Sequence, residues 1–210
     1  MPDSLSFPDA LPPTLASLRM VEHLRDLLHE RSIHALHQDR VGRLTGVLAR
    51  ALDLGAARAD MMVKAASAHD IGKLAIPDGI LFKTTPLTHE DWAVIHRHSE
   101  LGHQVLSGSG DPLMDLAASI ALNHHEAFDG SGYPNGLRGT DIPYESRVVT
   151  VCDVYDALRS DRPYKPGFSH DRAVDSILNG DDRITPAKFD PEVLSGFKDA
   201  LPRIRGAWEG

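Results

Sequence analysis

The chain has 210 residues, 41% of them hydrophobic and 25% charged, which is the balance of a globular domain and not of a disordered one. A formal net charge of −8 argues against a general nucleic-acid surface, although a small anionic substrate stays compatible with it. No apolar run approaches the ~18 residues of a membrane helix, the acidic N-terminus lacks the pattern of a secretory signal, and the single Cys152 excludes an intramolecular disulfide and fits a reducing cytoplasm.

Residues 1–13 hold four prolines and little pattern, and read as a flexible tail. Leu15, Leu18, Val21, Leu24 and Leu28 are spaced for an amphipathic helix over 14–30. Val41, Leu44, Leu48 and Leu52 mark a second helix, closed by Gly55. A third is expected over 60–69, followed by a turn-rich connector over 76–86. Thr88 to Asp91 forms a weak capping box, with Asp in place of Glu. Further helices are predicted over about 89–106, 113–124, 145–160, 169–178 and 190–200. Nothing alternates with period two for long enough to make a sheet, so the expected fold is all-α, a single domain over 14–205. Cys152, in the apolar run from Val148 to Val151, reads as a small core residue.

Helical phase places the polar residues that matter. His37 lies one turn before Val41, and His98 follows Trp92 and Ile95. His124 follows Leu116 and Ile120, His125 follows Ala118 and Ala121, and Asp153 falls one turn after Val149. With His69 and Asp70 these side chains point inward from separate helices. Each needs a partner there, because an unpaired buried charge is very costly. A shared metal cluster supplies all of them at once, and imidazole with carboxylate suits iron, manganese, zinc or nickel. The remaining histidines, His23, His29, His34, His89, His96, His103 and His170, read as surface or packing residues. The run 129–136 holds three glycines and a proline and cannot be a helix interior.

His69-Asp70 with a later Asp153 resembles the HD-domain metal phosphohydrolases. The longer string is more specific. His124-His125-Glu126-Ala127-Phe128-Asp129-Gly130-Ser131-Gly132-Tyr133-Pro134, then Gly139, Ile142-Pro143, Asp153-Val154-Tyr155-Asp156-Ala157-Leu158, Arg162-Pro163-Tyr164-Lys165 and Phe189-Asp190-Pro191 resembles the HD-GYP family. The resemblance implies an HD-domain helical bundle and a cytoplasmic bacterial phosphodiesterase that cuts cyclic di-GMP to pGpG, in some members onward to GMP. It also implies metal ligands at His37, His69, Asp70, His98, His124, His125 and Asp153, with Asp70 bridging, and iron or manganese as the metals. Three-metal members carry a Glu four residues before the first ligand. Ile33 stands there, so two divalent metals are expected.

Two such ions ~3.5–4 Å apart would supply an acidified water for attack on phosphorus, and the resemblance implies Asp70 and Lys73 as the catalytic residues at the centre. By spacing alone Lys73 is a surface lysine; the resemblance makes it a phosphate contact. Tyr133 is expected on a lip over the metals, with the loop glycines letting backbone approach a ligand. Arg162 and Lys165 are expected to bind phosphate and guanine, Asp156 to accept from a guanine edge, and Glu126 to orient a ligand histidine. Alternatives are a hydrolase of another nucleotide, including a mixed cyclic dinucleotide, and a non-catalytic binding or adaptor module. Diguanylate cyclases are the protein partners that the family implies; no DNA, RNA or membrane partner is expected.

Overall fold

The computed structural model describes residues 12–31, 36–161 and 166–210. The expectations for the tail at 1–11, for Ile33, and for Arg162 and Lys165 lie outside them. Among the described residues there are helices, short 3₁₀ turns and no strand. In chain order the helices are α1 (Leu15–Arg31), α2 (His37–Ala51), α3 (Ala56–Ala66), α4 (Asp78–Leu81), α5 (His89–His96), α6 (His98–Leu106), α7 (Pro112–Asn123), α8 (Tyr144–Arg159), α9 (His170–Asn179), α10 (Pro191–Asp199) and α11 (Leu201–Glu209).

The centre of the bundle is α2, whose stripe of Val41, Leu44 and Leu48 is fully buried. It packs on α3, α8 and α11, against Met62, Val148, Val151, Tyr155 and Ile204. Cys152 is buried in the same core, and burial pushes its thiol up to about 12, so it is inert packing as expected. The capping chemistry also matches the sequence. Thr88 and Asp91 complete a reciprocal capping box at the start of α5. Asp111 caps α7 through Leu113 N at 2.9 Å, and its other oxygen accepts from Thr14 N at 2.9 Å, which ties the entry of α1 to α7.

The boundaries differ from the periodicity in places that build the site. The third helix covers Ala56–Ala66 and stops before His69, which with Asp70 sits on a turn leading into a 3₁₀ turn at Ile71–Ala75. The long helix expected over 89–106 is two helices, broken at Arg97, whose N–H bonds back to Val94 O at 3.2 Å. A hydrophobic pattern runs across such a break because both halves still face the core. The connector over 76–86 contains the short α4. Helix α11 follows α10 directly and packs on α2, so the domain edge expected at 205 falls inside a helix.

The close contact that brings two of the ligand segments together depends on a glycine. A Cβ at Gly72 would lie 1.9 Å from His98 O and 2.6 Å from Gly102 N. The 3₁₀ turn therefore rests backbone to backbone on α6. Gly72→Ala forces the two apart; overpacking of this kind costs ~1–3 kcal/mol. It should lower the unfolding midpoint and also the affinity for divalent cation, because it separates Asp70 from His98. Thermal unfolding and metal titration of the variant check both effects; an unchanged metal affinity would contradict the link.

Candidate metal centre

Four elements end or begin at the site. His37 opens α2, and His69 and Asp70 occupy the turn after α3. His98 opens α6, His124 and His125 follow the last residue of α7, and Asp153 projects from α8. Adjacent ligands come from helix ends because neighbours within a helix diverge by about 100°. Past the end of α7, His124 and His125 both face the site, their ring centroids 4.0 Å apart.

Every expected ligand reaches the same place. On one side of Asp70, Oδ2 lies 3.4 Å from His69 Nε2 and 3.7 Å from His37 Nε2. Asp153 Oδ1 closes that group at 3.3 Å from His37 Nε2 and 3.8 Å from His69 Nε2. On the other side, Oδ1 lies 3.4 Å from His98 Nε2 and 3.8 Å from His124 Nε2. Two ligand groups result, one of His37, His69 and Asp70, the other of Asp70, His98, His124 and His125, with Asp70 common to both.

Hydrogen bonds fix the tautomers. His69 Nδ1 donates to Ala66 O at 2.8 Å, His98 Nδ1 to Ile95 O at 2.7 Å, and His124 Nδ1 to Ala121 O at 3.0 Å. A carbonyl only accepts, so these rings carry the proton on Nδ1 and present a lone pair from Nε2. His98 Nε2 and His124 Nε2 thus face each other at 3.3 Å, lone pair to lone pair. Asp70 Oδ1 beside them is buried and meets no hydrogen-bond donor. Three converging lone pairs without a proton between them repel, and a cation removes the conflict. The donor set therefore fits a divalent transition metal.

The protonation states agree. Burial alone would raise Asp70, but Lys73 and His69 hold its carboxyl well below the usual range. Asp153 is likewise depressed, burial being outweighed by His37 and His69. Burial pushes His124 well down and His125 to about 3, so both rings are neutral near pH 7. His37 differs. Burial would lower it, but Asp153 and Asp156 raise it to about 9. A proton must leave it when a cation binds.

Two expected substrate or ligand roles are corrected. Asp156 is fully buried. Its Oδ2 accepts from His37 Nδ1 at 2.7 Å, and its Oδ1 from Trp208 Nε1 at 2.8 Å and from Arg40 Nε. With both oxygens engaged it orients His37 and offers nothing to a guanine edge. Glu126 does not orient a histidine. It is buried, and its oxygens accept from Asn135 N at 2.7 Å and Leu137 N at 2.9 Å, so it pins the glycine loop. The loop glycine Gly132 serves the chain's own packing: a Cβ there would lie 2.3 Å from Ala127 N.

Tyr133 does lie over the centre, its ring stacked 4.7 Å from His125 and 3.9 Å from His96. Lys73 places Nζ 2.5 Å from Asp70 Oδ2. Both line a cavity of about 510 Å³ with His37, His98, His125 and Asp153. Its outer wall adds residues that sequence reasoning did not single out, among them Arg31, Phe82 and Trp92. His96, read as an ordinary histidine, is the other face of the Tyr133 stack. Periodicity placed Trp92 in phase with His98, but only the folded arrangement shows that it stands half-exposed at the cavity mouth.

A family profile described as HD domain matches residues 22–193. The chain belongs to the HD-domain family. It is 42% identical over 171 residues to the cyclic di-GMP phosphodiesterase response regulator RpfG of Xanthomonas campestris pv. campestris, covering 81% of this chain and 43% of that protein. It is 39% identical over 163 residues to the 3′3′-cGAMP-specific phosphodiesterase 2 of Vibrio cholerae, covering 77% of this chain and 31% of that protein. Bd1817, an HDG"Y"P protein from Bdellovibrio bacteriovorus, superposes with a TM-score of 0.61 at 18% identity, over 88% of this chain and 64% of the other. The chain thus spans less than half the length of these two curated relatives, and the solved structure bears on the fold alone. Membership of the HD-domain family and the similarity to RpfG agree with the HD-GYP resemblance.

Asp156→Ala leaves His37, Arg40 and Trp208 without their shared acceptor. Breaking such a buried charged network costs ~3–5 kcal/mol, and loss of the group that orients a ligand weakens metal binding about 10- to 100-fold. Metal titration should show this loss in Asp156→Ala and a smaller one in Asp156→Asn. Wild-type affinity in both would return Asp156 to a purely structural role.

Proposed function

We propose that the chain is a metal-dependent phosphodiesterase that hydrolyses cyclic di-GMP to pGpG, the step shared by members that stop there and members that go on to GMP. One observation carries the reading: Asp70 presents one oxygen to each of two ligand groups, the arrangement expected of a bridging carboxylate. His37, His69, Asp70 and Asp153 would hold one divalent ion, and Asp70, His98, His124 and His125 the other. Iron or manganese suits this mixture of imidazole and carboxylate. Two ions bound there would supply a water acidified to hydroxide and positive charge for the phosphate oxygens.

The chain's own residues do the remaining work. The Nδ1 bonds to Ala66, Ile95, Ala121 and Asp156 hold four imidazoles in one tautomer and one direction. Lys73, about one-third exposed, brings an ammonium to the cavity floor, where it would contact a phosphate oxygen and donate a proton to a leaving ribose oxygen. Tyr133 closes one side of the cavity and limits water. Arg162 and Lys165 add cations for phosphate and guanine, and Ile33 in place of a carboxylate limits the centre to two metals. The names of the relatives divide between cyclic di-GMP and 3′3′-cGAMP, so a mixed cyclic dinucleotide is the second reading. Among the described residues no helix is long and apolar enough to cross a membrane. We place the protein in the cytoplasm, with diguanylate cyclases as candidate protein partners.

The test joins composition to product. Protein purified without air should carry about two transition metals per chain and convert cyclic di-GMP to pGpG, as resolved by chromatography. Asp70→Ala should remove turnover and most of the metal together. Full metal occupancy in that variant, or about three metals in the wild type, would overturn the assignment.

A further inference from the structure

The cavity has two kinds of wall. Its floor is the ligand cluster with Lys73, and its mouth is lined by Phe82, Trp92, Leu81 and Ile95. Trp92 is 48% exposed and Phe82 38%, so each leaves a large aromatic face in water beside a strongly polar site. Aromatic rings in that position are costly to hydrate unless something covers them.

The segment that carries them is clamped. Lys83 pairs with Asp91, and these are the immediate neighbours of Phe82 and Trp92. Asp91 also closes the capping box by accepting from Thr88 N at 2.8 Å. One carboxylate therefore fixes the end of α4 against the start of α5, and with it both rings. Inward from Trp92 the rings continue: His96 lies 5.8 Å away, Tyr133 3.9 Å beyond it and His125 4.7 Å beyond that. An aromatic path thus runs from the mouth to a ligand of the metal centre.

We propose that Trp92, supported by Phe82, is the stacking platform for a purine base of the nucleotide whose phosphate sits at Asp70 and Lys73. This deepens the phosphodiesterase reading and rests on it for the position of the phosphate. A base fits because it offers a flat π-face to a half-exposed indole, which a sugar or an alkyl substituent of the phosphate does not. Purines present more face than pyrimidines, and the fixed rings lose little side-chain freedom on binding.

The experiment uses the metal-loaded protein and GMP, which holds no phosphodiester to cut. Of the two tryptophans in the chain, Trp208 is engaged with Asp156, so a change in indole emission at the mouth reports Trp92. GMP should quench that emission, and the quench should vanish in Trp92→Phe. By calorimetry Trp92→Ala should weaken GMP about 5- to 100-fold, the range for loss of one stacked base. Trp92→Phe should restore most of the affinity, and Phe82→Ala should show a smaller loss. Ribose 5-phosphate, the same phosphate without a base, should bind wild type and Trp92→Ala equally. Equal losses for GMP and ribose 5-phosphate, an unchanged GMP affinity in Trp92→Ala, or a quench that survives in Trp92→Phe would each overturn the platform. A wild type that binds GMP in this way but leaves both cyclic di-GMP and 3′3′-cGAMP intact would support the platform and refute the phosphodiesterase reading.

Discussion

Asp70 is a buried carboxylate whose oxygens meet unlike surroundings: Oδ2 pairs with the Lys73 ammonium, whereas Oδ1 faces imidazole lone pairs and requires positive charge there. Its Oδ1 is buried and lacks any hydrogen-bond donor, while His98 and His124 turn their unprotonated nitrogens toward it. Without a cation the Oδ1 side of the arrangement is a cluster of repelling lone pairs. A cation there accepts the lone pairs and removes the repulsion. The rest of the fold can be understood as the means of holding those groups in place until the cations arrive.

Helix ends do most of that holding. A helix interior spreads successive side chains around its circumference, so pairs such as His69 with Asp70 and His124 with His125 reach one point only where a helix stops. The early end of α3, the end of α7 at Asn123 and the break at Arg97 are therefore functional features. Gly72 then lets the turn after Asp70 touch α6, which sets the distance between the two ligand groups. Behind them lies a layer of acceptors: three backbone carbonyls and Asp156. Asp156 is itself held by Arg40 and by Trp208 from the last helix, so α11 reaches the metal centre through two hydrogen bonds.

Much of this was legible in the sequence. The seven candidate ligands were singled out by inward phase, and the structure brings all seven side chains together. The all-α architecture, the capping box at Thr88 and the buried Cys152 were equally readable. What failed shares one physical cause. Asp156 lies on the same face of α8 as Asp153, so spacing made it a neighbour of the centre but could not say that Arg40 and Trp208 would consume its oxygens. Glu126 follows two ligand histidines, yet the loop folds back so that its carboxylate meets Asn135 and Leu137. The roles of Phe82, Trp92 and His96 were invisible because they depend on which loops meet across the cavity, and periodicity carries no such information. Contacts between distant segments decide the use of a polar side chain; local pattern decides only the face it occupies.

The central claim is that one carboxylate is shared by two cations, and anomalous diffraction from crystals of the manganese-loaded protein tests it most directly. The account predicts two manganese peaks about 3.5–4 Å apart, one beside His37, His69 and Asp153, the other beside His98, His124 and His125, with Asp70 contributing one oxygen to each. A single peak, or two peaks with Asp70 bound to only one of them, would contradict it.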